Sequence, residues 1–408
     1  SPPRSKIAEV VPLVKLPPQL SVFDYLVTPG QHLVVGQLVE VPFRRRMVRA
    51  VVVRVSTRPL QPRLRYHSVG AVLTANPVVT EGQRQLAAWI AQEYLQSLAT
   101  VYRAMLPEWP RRATVGTSIT AFPPLVAASE SQQRTVREPS APDCRLVVGI
   151  PDQGREADDE IALILRQGGQ VLALMPEMAL AVALHERLRR RFGEMAQLQP
   201  DRRQRDRSQS FWQRGLSGSP LLVIGTRRGI FAPLPRLQLV LCHWEDDSSY
   251  RQSDQQPRYD ARLGACRLAQ VTGARVLFQS PAPTLAAWAR WATPQQATAQ
   301  DPAHLVPVQL VDLRQERYDP QFRWLSVPLR EQLRAAVAVR QSGLRALLLL
   351  NRKGLAATLR CRSCGYTPVC PTCGLPYAYD PAPPSSGVTA DDLRCFRCRR
   401  SARSASVC

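Results

Sequence analysis

The sequence has 408 residues, of which 45% are hydrophobic, and its 54 Lys and Arg against 32 Asp and Glu give a formal net charge of +22. This apolar content excludes a disordered chain, and the length suits roughly two to four globular domains. No window approaches the roughly 18 consecutive apolar residues of a membrane span, and the N-terminus lacks an apolar signal segment. We therefore expect a cytoplasmic multidomain protein with no membrane partner.

The excess of positive charge indicates a polyanionic partner. Only three lysines occur, so nearly all the cations are arginines, a bias that a GC-rich genome also produces. The net charge is more informative, because basic domains gain affinity for nucleic acid by releasing counterions. The composition therefore favours nucleic-acid binding over a merely basic surface.

Residues 1–75 have the pattern of a small β domain, with apolar runs at 33–41 and 47–53 around a Pro-Phe-Arg-Arg-Arg turn. From Glu81 the apolar residues recur at helical spacing, and a second short helix is predicted near 99–106. We assign residues 76–122 to a helical module of winged-helix size. Residues 123–142 mix Pro, Ser, Gln and Glu without periodicity, which predicts a linker.

From residue 143 onward, apolar strands alternate with helical stretches. The strand candidates are residues 145–150, 170–175, 221–225, 237–242 and 274–278. Such apolar strands, separated by helices, indicate a parallel sheet covered on both faces, which we place at residues 143–300. A further unit at 301–360 has strand candidates at 308–311 and 346–350. The predicted fold class is therefore a multidomain α/β protein.

Seven of the ten cysteines follow residue 360, mostly in C-x2-C pairs. They are Cys361, Cys364, Cys370, Cys373, Cys395, Cys398 and Cys408. Paired thiolates suit tetrahedral Zn²⁺, and a cytosolic setting disfavours disulfides; reduced structural or redox cysteines are the alternative. Two Cys₄ sites need eight ligands, so one site lacks a ligand here, and we expect the sequence to continue beyond Cys408.

We predict that the two zinc sites interleave along residues 361–408. One complete site contains Cys370, Cys373, Cys395 and Cys398, and the other contains Cys361, Cys364 and Cys408. Closed sites of this kind are structural, because no coordination position stays open for catalysis. The remaining cysteines lie in apolar contexts and are expected to be core residues; they are Cys144, Cys242 and Cys266.

Seven segments carry a family resemblance: residues 17–26, 39–43, 175–178, 223–227, 231–235, 247–250 and 349–354. Taken in order, they resemble the PriA family of superfamily 2 helicases, which act in replication restart. Residues 17–26 and 39–43 resemble its N-terminal domain, which binds DNA 3′ ends. The segments that look like its helicase core are residues 175–178, 223–227, 231–235 and 247–250. Residues 349–354, which lead into Cys361, match the entry to its zinc-binding insertion. The resemblance implies a RecA-like lobe at 143–300, the start of a second lobe at 301–360, and the zinc insertion at 361–408.

The resemblance also implies a pocket for a 3′-terminal nucleotide at Phe23, Asp24 and Tyr25. An aromatic ring can stack on a base, and Asp can accept a hydrogen bond from a 3′ hydroxyl while repelling a phosphate. The alternative is a strand with two aromatic core residues. The family has Gly where this chain has Arg44, and Arg65 is a candidate for the basic position beside the adjacent phosphate.

Further DNA contacts are expected from arginines and aromatic residues elsewhere. The candidates are Arg44, Arg45, Arg46, Arg251 and Arg258 for phosphates, and Tyr250 and Tyr259 for bases. For each arginine singly, a solvated surface position is the alternative. Six to ten phosphate contacts together would give a salt slope of roughly −5 to −9.

The loop at the ATP position lacks the required chemistry. A P-loop reads G-x4-G-K-[ST], because Lys reaches the phosphates and the hydroxyl holds Mg²⁺. Gly149 and Gly154 keep the spacing, but Arg155 and Glu156 replace the lysine and the hydroxyl. Acidic residues at 158–160 follow in the first helical turn, where they can satisfy the helix dipole in place of a phosphate. We predict that this loop repels ATP.

Two further helicase motifs are altered in the same direction. Where the family has Asp-Glu-Glu-His, His243 and Trp244 replace the acids that would hold Mg²⁺ and polarise water. The family's Ser-Ala-Thr-Pro reads Ser-Pro-Ala-Pro at 280–283. Together the three changes predict that the ATPase is lost and that ATP is not a cofactor. A metal or nuclease cluster at 245–247 is less favoured, since adjacent acids on a loop are usually solvated.

We therefore expect a bacterial, nucleoid-associated protein that recognises forked or branched DNA and helps to assemble the primosome without enzymatic activity. The expected partners are forked and single-stranded DNA, single-stranded DNA-binding protein and helicase-loading proteins. One alternative is an active ATP-dependent 3′ to 5′ helicase with a cryptic nucleotide site, which would show DNA-stimulated hydrolysis. Another is a zinc-knuckle protein–protein adaptor, whose DNA binding would be weak and insensitive to salt.

Overall fold

The computed structural model describes residues 4–108, 143–149, 155–201, 204–292, 308–313, 325–338, 345–349, 356, 358–361, 363–372, 374–379, 393–395 and 400–403. The chain divides into two compact units, Ser1–Asp301 and Pro302–Cys408. The first unit contains an N-terminal half-barrel and a parallel α/β lobe, and the second contains short elements.

The half-barrel has five strands in the order β3-β4-β1-β2-β5. They are β1 (Arg4–Pro12), β2 (Phe23–Leu26), β3 (Leu38–Phe43), β4 (Arg46–Pro59) and β5 (His67–Ser68). All pairs are antiparallel except β2 with β5. The chain beyond β5 returns to β3, where the Glu40 N–H donates to the Ala71 carbonyl at 2.8 Å. This return curls the sheet, and alternate valines such as Val10 and Val41 fill its interior.

Two helices follow the half-barrel, α1 (Glu81–Glu93) and α2 (Leu98–Met105). Thr80 begins α1 with a capping box to Gln83. Leu86 and Ile90 are fully buried, as their helical spacing predicts. The predicted winged-helix module at 76–122 extends past residue 108 into residues that lie outside the described ones, so it stays a prediction.

The lobe is built on a six-stranded sheet in the order β6-β13-β10-β7-β9-β8, and every neighbouring pair is parallel. Its strands are β6 (Cys144–Val148), β7 (Gln170–Leu174), β8 (Ala196–Leu198), β9 (Leu221–Gly225), β10 (Leu237–His243) and β13 (Arg275–Ser280). Alternate residues of β7 pack into different clusters, Leu172 on one face and Val171 on the other. The predicted parallel sheet, covered on both faces, is confirmed.

Within the described residues, five α-helices and one strand pair complete the lobe. The helices are α3 (Arg155–Arg166), α4 (Met178–Phe192), α5 (Arg205–Leu216), α6 (Ala261–Thr272) and α7 (Leu285–Trp291). The strands β11 (Arg251–Gln252) and β12 (Tyr259–Asp260) form a short antiparallel pair. None of the helices within the described ranges combines the length and hydrophobicity that a membrane crossing requires.

The half-barrel and the helices α1 and α2 form the half-barrel module, which shares one hydrophobic core with the lobe. Val11 and Leu86 belong to the same buried cluster as lobe residues such as Phe231. Two buried hydrogen bonds cross between them, from Gln83 Nε2 to the Phe231 carbonyl at 2.7 Å and from Trp212 Nε1 to the Val78 carbonyl at 2.8 Å. Buried polar groups need such partners, so these bonds fix the orientation of the module on the lobe.

The second unit contains α8 (Val327–Ala338) and a three-stranded antiparallel sheet. Its strands are β14 (Ala378–Tyr379), β15 (Leu393–Arg394) and β16 (Ser401–Ala402). Residues 308–311 and 345–349, which cover most of the two predicted strands, are irregular in the structure. Leu310 and Leu347 are each 93% exposed, so the strand prediction is wrong there: an apolar run needs a neighbouring strand to pair with and a surface to cover.

Candidate nucleic-acid interface

The three residues predicted to bind a DNA end lie on β2 in different environments. Tyr25 is buried inside the half-barrel, where its hydroxyl donates to the Pro42 carbonyl at 2.9 Å and burial raises its pKa. Phe23 packs against the same interior cluster and is partly exposed. Asp24 lies on the opposite face, with Arg58 Nη2 at 2.5 Å from its carboxylate. Tyr25 is therefore a core residue, whereas Phe23 and Asp24 have surface that a ligand can reach.

The turn between β3 and β4 presents exposed arginines beside two aromatic rings. Arg44 has φ of +56°, and Arg45 does not have a positive φ, which is the pattern of a type II′ turn that favours glycine at its first central position. The Arg44 guanidinium carbon lies 5.9 Å from the Phe43 ring centroid. The rings of Phe43 and Phe23 meet edge to face at 5.1 Å. One end of the half-barrel thus combines a cation with two aromatic rings.

Arg65 is exposed and lies two residues before His67, which pairs with Tyr25 in the parallel β2–β5 ladder. That ladder begins at the Tyr25–His67 pair, so Arg65 lies outside it, in the segment that leads into β5. The contact of Arg65 with a phosphate stays a prediction.

The strand pair β11–β12 shows that two predicted stacking residues are core residues. Arg251 and Arg258 are exposed, as predicted for phosphate contacts. Tyr250 is fully buried and its hydroxyl donates to the Leu174 carbonyl at 2.8 Å, while Tyr259 is 1% exposed. Neither ring has a face open to a base, so the prediction that Tyr250 and Tyr259 stack on DNA is wrong. Tyr250 anchors the start of the strand pair to the sheet, whereas the Tyr259 ring packs against Phe231 and its hydroxyl lies 3.4 Å from the Arg227 carbonyl.

At the ATP position the structure describes the strand and the helix but not the loop between them. Residues 150–154, including Gly154, and the side chains of Arg155 and Glu156 lie outside the described residues; Gly149 follows β6 directly. Three acidic residues of α3 are paired: Asp158 with Arg187 at 2.6 Å, Asp159 with Arg191 at 2.5 Å, and Glu160 with Arg275. Arginine thus balances the charge of these three residues. The prediction that the loop repels ATP concerns residues outside the described ones and stays a prediction.

The residues at the other two altered motifs contact each other. His243 ends β10 and is buried, with Nδ1 at 3.1 Å from Gln279 Oε1 on the adjacent strand. Ser280 Oγ donates to the Asp246 carboxylate. The segment after β10 is therefore joined to the end of β13 through side chains.

Glu245 is 2% exposed and forms part of a buried network. Its carboxylate accepts hydrogen bonds from the Thr284 N–H at 3.0 Å and the Thr284 hydroxyl at 2.8 Å, and Arg262 Nη1 lies at 3.5 Å. Arg262 also binds Asp260, with Nη2 at 2.7 Å from Oδ2. Burial opposes ionisation of Asp260, but the hydrogen bonds and charge of Arg262 outweigh it and lower the pKa of Asp260. The expectation of a solvated acidic loop is wrong at Glu245.

Three cysteine loops in the second unit repeat one backbone pattern. The N–H groups of Cys361, Cys370 and Cys395 each donate to the carbonyl five residues later, at 2.8, 2.8 and 2.9 Å. In the first two loops a glycine with positive φ follows, Gly365 at +75° and Gly374 at +67°. Each turn folds the chain tightly around its first cysteine, and the thiol is a zinc-type ligand.

Two of these loops lie together. Cys370 and Cys395 are both fully buried and share a cluster with Tyr377 and Leu393. Arg400 Nη1 in the third loop donates to Thr372 Oγ1 in the second at 3.1 Å. Cys361 is partly exposed and Cys364 is exposed, while Cys373, Cys398 and Cys408 lie outside the described residues. Within the described part of the chain, no three metal-ligand side chains converge.

Comparison with known proteins assigns the half-barrel module. Residues 11–107 match the family model described as the 3′DNA-binding domain of PriA. Proteins named replication restart protein PriA match longer stretches of the chain. The chain belongs to the PriA family. The matched residues include the end of β1, β2 to β5, α1 and α2, so the match extends past the boundary predicted at residue 75.

The PriA relatives match different lengths of the chain. The Synechocystis protein is 33% identical over 253 residues, which are 60% of this chain and 30% of the relative. The Bacillus subtilis protein is 31% identical over 225 residues, 54% of this chain and 27% of the relative. The Helicobacter pylori protein is 25% identical over 401 residues, 98% of this chain and 60% of the relative. The chain thus spans less than two thirds of each of these PriA proteins.

Proposed function

We propose that this chain binds the 3′ end of a DNA strand at a branched or forked junction and acts in replication restart. The observation that carries the proposal is the match of residues 11–107 to the PriA 3′DNA-binding domain, together with the half-barrel, to which these residues contribute β2 to β5 and the end of β1. The exposed arginines at one end of that half-barrel supply the positive charge that a DNA backbone requires.

The side chains at this end of the half-barrel suit different chemical groups of a DNA end. In this proposal Phe23 offers partly exposed ring surface to the terminal base, and the exposed Arg44 and Arg65 contact the adjacent phosphates. Asp24 holds Arg58 through Oδ2, which leaves Oδ1 to accept a hydrogen bond from a 3′ hydroxyl. Tyr25 supports Phe23 and Asp24 from the core of the half-barrel.

We further propose that the chain binds DNA without hydrolysing ATP. Glu245, the acid that the altered motif retains, is occupied by Thr284 and Arg262, and His243 and Asp246 are bound to residues at the end of β13. Recruiting these groups to Mg²⁺ would break buried hydrogen bonds, which is costly. This supports a helicase-like lobe that acts as a scaffold.

The cysteine segment is proposed to bind two zinc ions in the interleaved arrangement. The shared burial of Cys370 and Cys395 supports their pairing in one site, with Cys373 and Cys398 as the other ligands. Zinc at such sites contributes folding energy and no open coordination position. We assign contacts with single-stranded DNA, single-stranded DNA-binding protein and helicase-loading proteins to this segment.

The test of the 3′-end proposal is a comparison of forks that differ only at the strand end. The Asp24→Ala and Phe23→Ala double variant should lose about tenfold in affinity for a fork with a 3′ hydroxyl at the branch and little for a fork with a blocked end. Asp206→Ala, which removes an exposed acid from α5, is the charge-matched control and should keep the preference. Equal losses on both forks would overturn the assignment.

A further inference from the structure

Three cysteines of the lobe lie outside the cysteine segment, and two of them are in contact. The Sγ atoms of Cys144 on β6 and Cys266 on α6 are 3.5 Å apart, although 122 residues separate them along the chain. Both side chains are partly exposed, while Cys242 on β10 is fully buried. A disulfide needs an S–S distance of about 2.05 Å, so the two sulfurs must approach each other by roughly 1.5 Å.

The environments of the two thiols differ in a way that suits stepwise oxidation. The hydrogen bond with Cys266 lowers the pKa of Cys144, whereas the same hydrogen bond and burial raise the pKa of Cys266. The thiolate is the nucleophile, so this polarisation favours Cys144 as the sulfur that reacts first, which the variants below test. Burial raises the pKa of Cys242, which makes it the unreactive neighbour.

We propose that Cys144 and Cys266 form a reversible disulfide when the protein meets a peroxide. The Cys144 thiolate attacks one oxygen of hydrogen peroxide and the O–O bond breaks. The departing hydroxide takes up the proton that the Cys144 thiol released and leaves as water. The Cys266 sulfur then attacks the sulfenic acid, an S–S bond forms, and its proton leaves with the hydroxyl as a second water. Two thiols are oxidised by two electrons and one peroxide is reduced.

The position of the pair gives this modification a structural consequence. β6 is an edge strand of the parallel sheet and leads directly to Gly149, and α6 packs on α1 of the DNA-binding module. A bond between them would close a loop of 122 residues and tie the edge strand to that helix. Closing a long loop restricts the unfolded chain, so the oxidised protein should melt on the order of 5 °C higher than the reduced protein.

The experiment uses the whole chain, reduced and then exposed to hydrogen peroxide, alkylated and digested with trypsin without reductant. Trypsin places Cys144, Cys242 and Cys266 in three different peptides, residues 138–145, 237–251 and 263–267. Mass spectrometry therefore identifies each of them separately from the cysteines after residue 360. We expect linked peptides 138–145 and 263–267, lost after treatment with dithiothreitol, and an alkylated Cys242. Recovery of Cys144 and Cys266 as separate alkylated or over-oxidised peptides would overturn the proposal.

Two variants assign the order of the steps. Cys266→Ser should leave a sulfenic acid at Cys144 that dimedone captures, and Cys144→Ser should leave Cys266 as an alkylatable thiol. Cys242→Ala is the matched control and should form the linked peptide as the wild-type chain does. A link that involves Cys242 would contradict the assignment, and the wild-type digest decides the main question even if a variant fails to fold.

Discussion

The guanidinium of Arg44 lies over the ring of Phe43, 5.9 Å from its centroid, although Arg44 occupies a left-handed backbone position. A non-glycine residue there costs about 1–3 kcal/mol. The resemblance to the PriA family implies glycine at this point. Arg44 instead combines a strained turn with an exposed cation at the end of the half-barrel that we propose binds DNA.

Arg44→Gly should therefore stabilise the protein and weaken DNA binding at the same time. We expect a gain of about 1 kcal/mol in the free energy of unfolding, because glycine adopts the left-handed conformation without strain. The slope of log affinity for forked DNA against log salt should become shallower by about one. Urea denaturation and fork binding at several salt concentrations measure the two effects.

The control for this prediction is Arg45→Gly in the same turn. Arg45 is exposed and has no positive φ, so glycine there relieves no strain and should leave stability unchanged or slightly lower. If both variants gain stability equally, the backbone of Arg44 is not the source of the effect.

Asp260 links the stability of the lobe to pH. Its pKa is lowered in the folded protein, so its ion pair with Arg262 stabilises the fold above the unfolded Asp value of about 3.9 and is lost as pH falls through the folded value. Asp260→Asn leaves Arg262 buried with one fewer charged partner, and we expect the free energy of unfolding at pH 7 to fall by about 3 kcal/mol. Urea denaturation from pH 7 to pH 3 should show a smaller decline for the variant than for the wild type.

Asp159→Asn is the matched control, because its ion pair with Arg191 is mostly exposed. Exposed pairs contribute little, so its stability at pH 7 should stay within about 1 kcal/mol of the wild type. A similar loss in both variants would show that burial of the Arg262 network is not what matters.

Trp212 connects the half-barrel module to the lobe through one buried hydrogen bond to the Val78 carbonyl. Trp212→Phe keeps an aromatic ring but removes the donor, so the carbonyl is left without this partner. We expect a loss of about 2 kcal/mol in the free energy of unfolding. Thermal unfolding should also report whether the module then melts before the lobe; an unchanged melting curve would contradict the role of this bond.

The zinc proposal predicts which cysteines act together. Cys370→Ser and Cys395→Ser should each lower the zinc content of the purified protein by one ion, and the double variant should lose no more than either single variant. Cys144→Ser should leave the zinc content unchanged. If the losses from Cys370→Ser and Cys395→Ser add, the two cysteines bind different ions and the interleaved arrangement is wrong.

Periodicity and apolar runs predicted the parts of the fold that depend on local pattern. The parallel sheet follows from strands such as 221–225, whose residues are all buried. Residues 308–311 have a similar apolar character but stay exposed, because a strand also requires a neighbour that lies elsewhere in the chain. Local pattern therefore predicted the strands only where the pairing partners are present in the same lobe.

Side-chain roles were harder to predict, because they depend on contacts distant in sequence. Tyr250 stands beside an exposed arginine and resembles a stacking residue, but its hydroxyl binds the carbonyl of Leu174, 76 residues earlier. Glu245 sits in an acidic run, yet Thr284 and Arg262 bury it. The one local signal for this network was Asp260 directly before an apolar helix, a typical N-cap position.

The central claim, that this chain recognises forked DNA without hydrolysing ATP, is tested most directly by measuring ATP turnover with and without saturating forked DNA. Fork binding on the same preparation shows that the protein is functional. We predict tight, salt-dependent fork binding and no turnover above the background in either condition. DNA-stimulated hydrolysis, abolished by Glu245→Gln, would contradict the claim and show that the buried carboxylate is released to serve a nucleotide site.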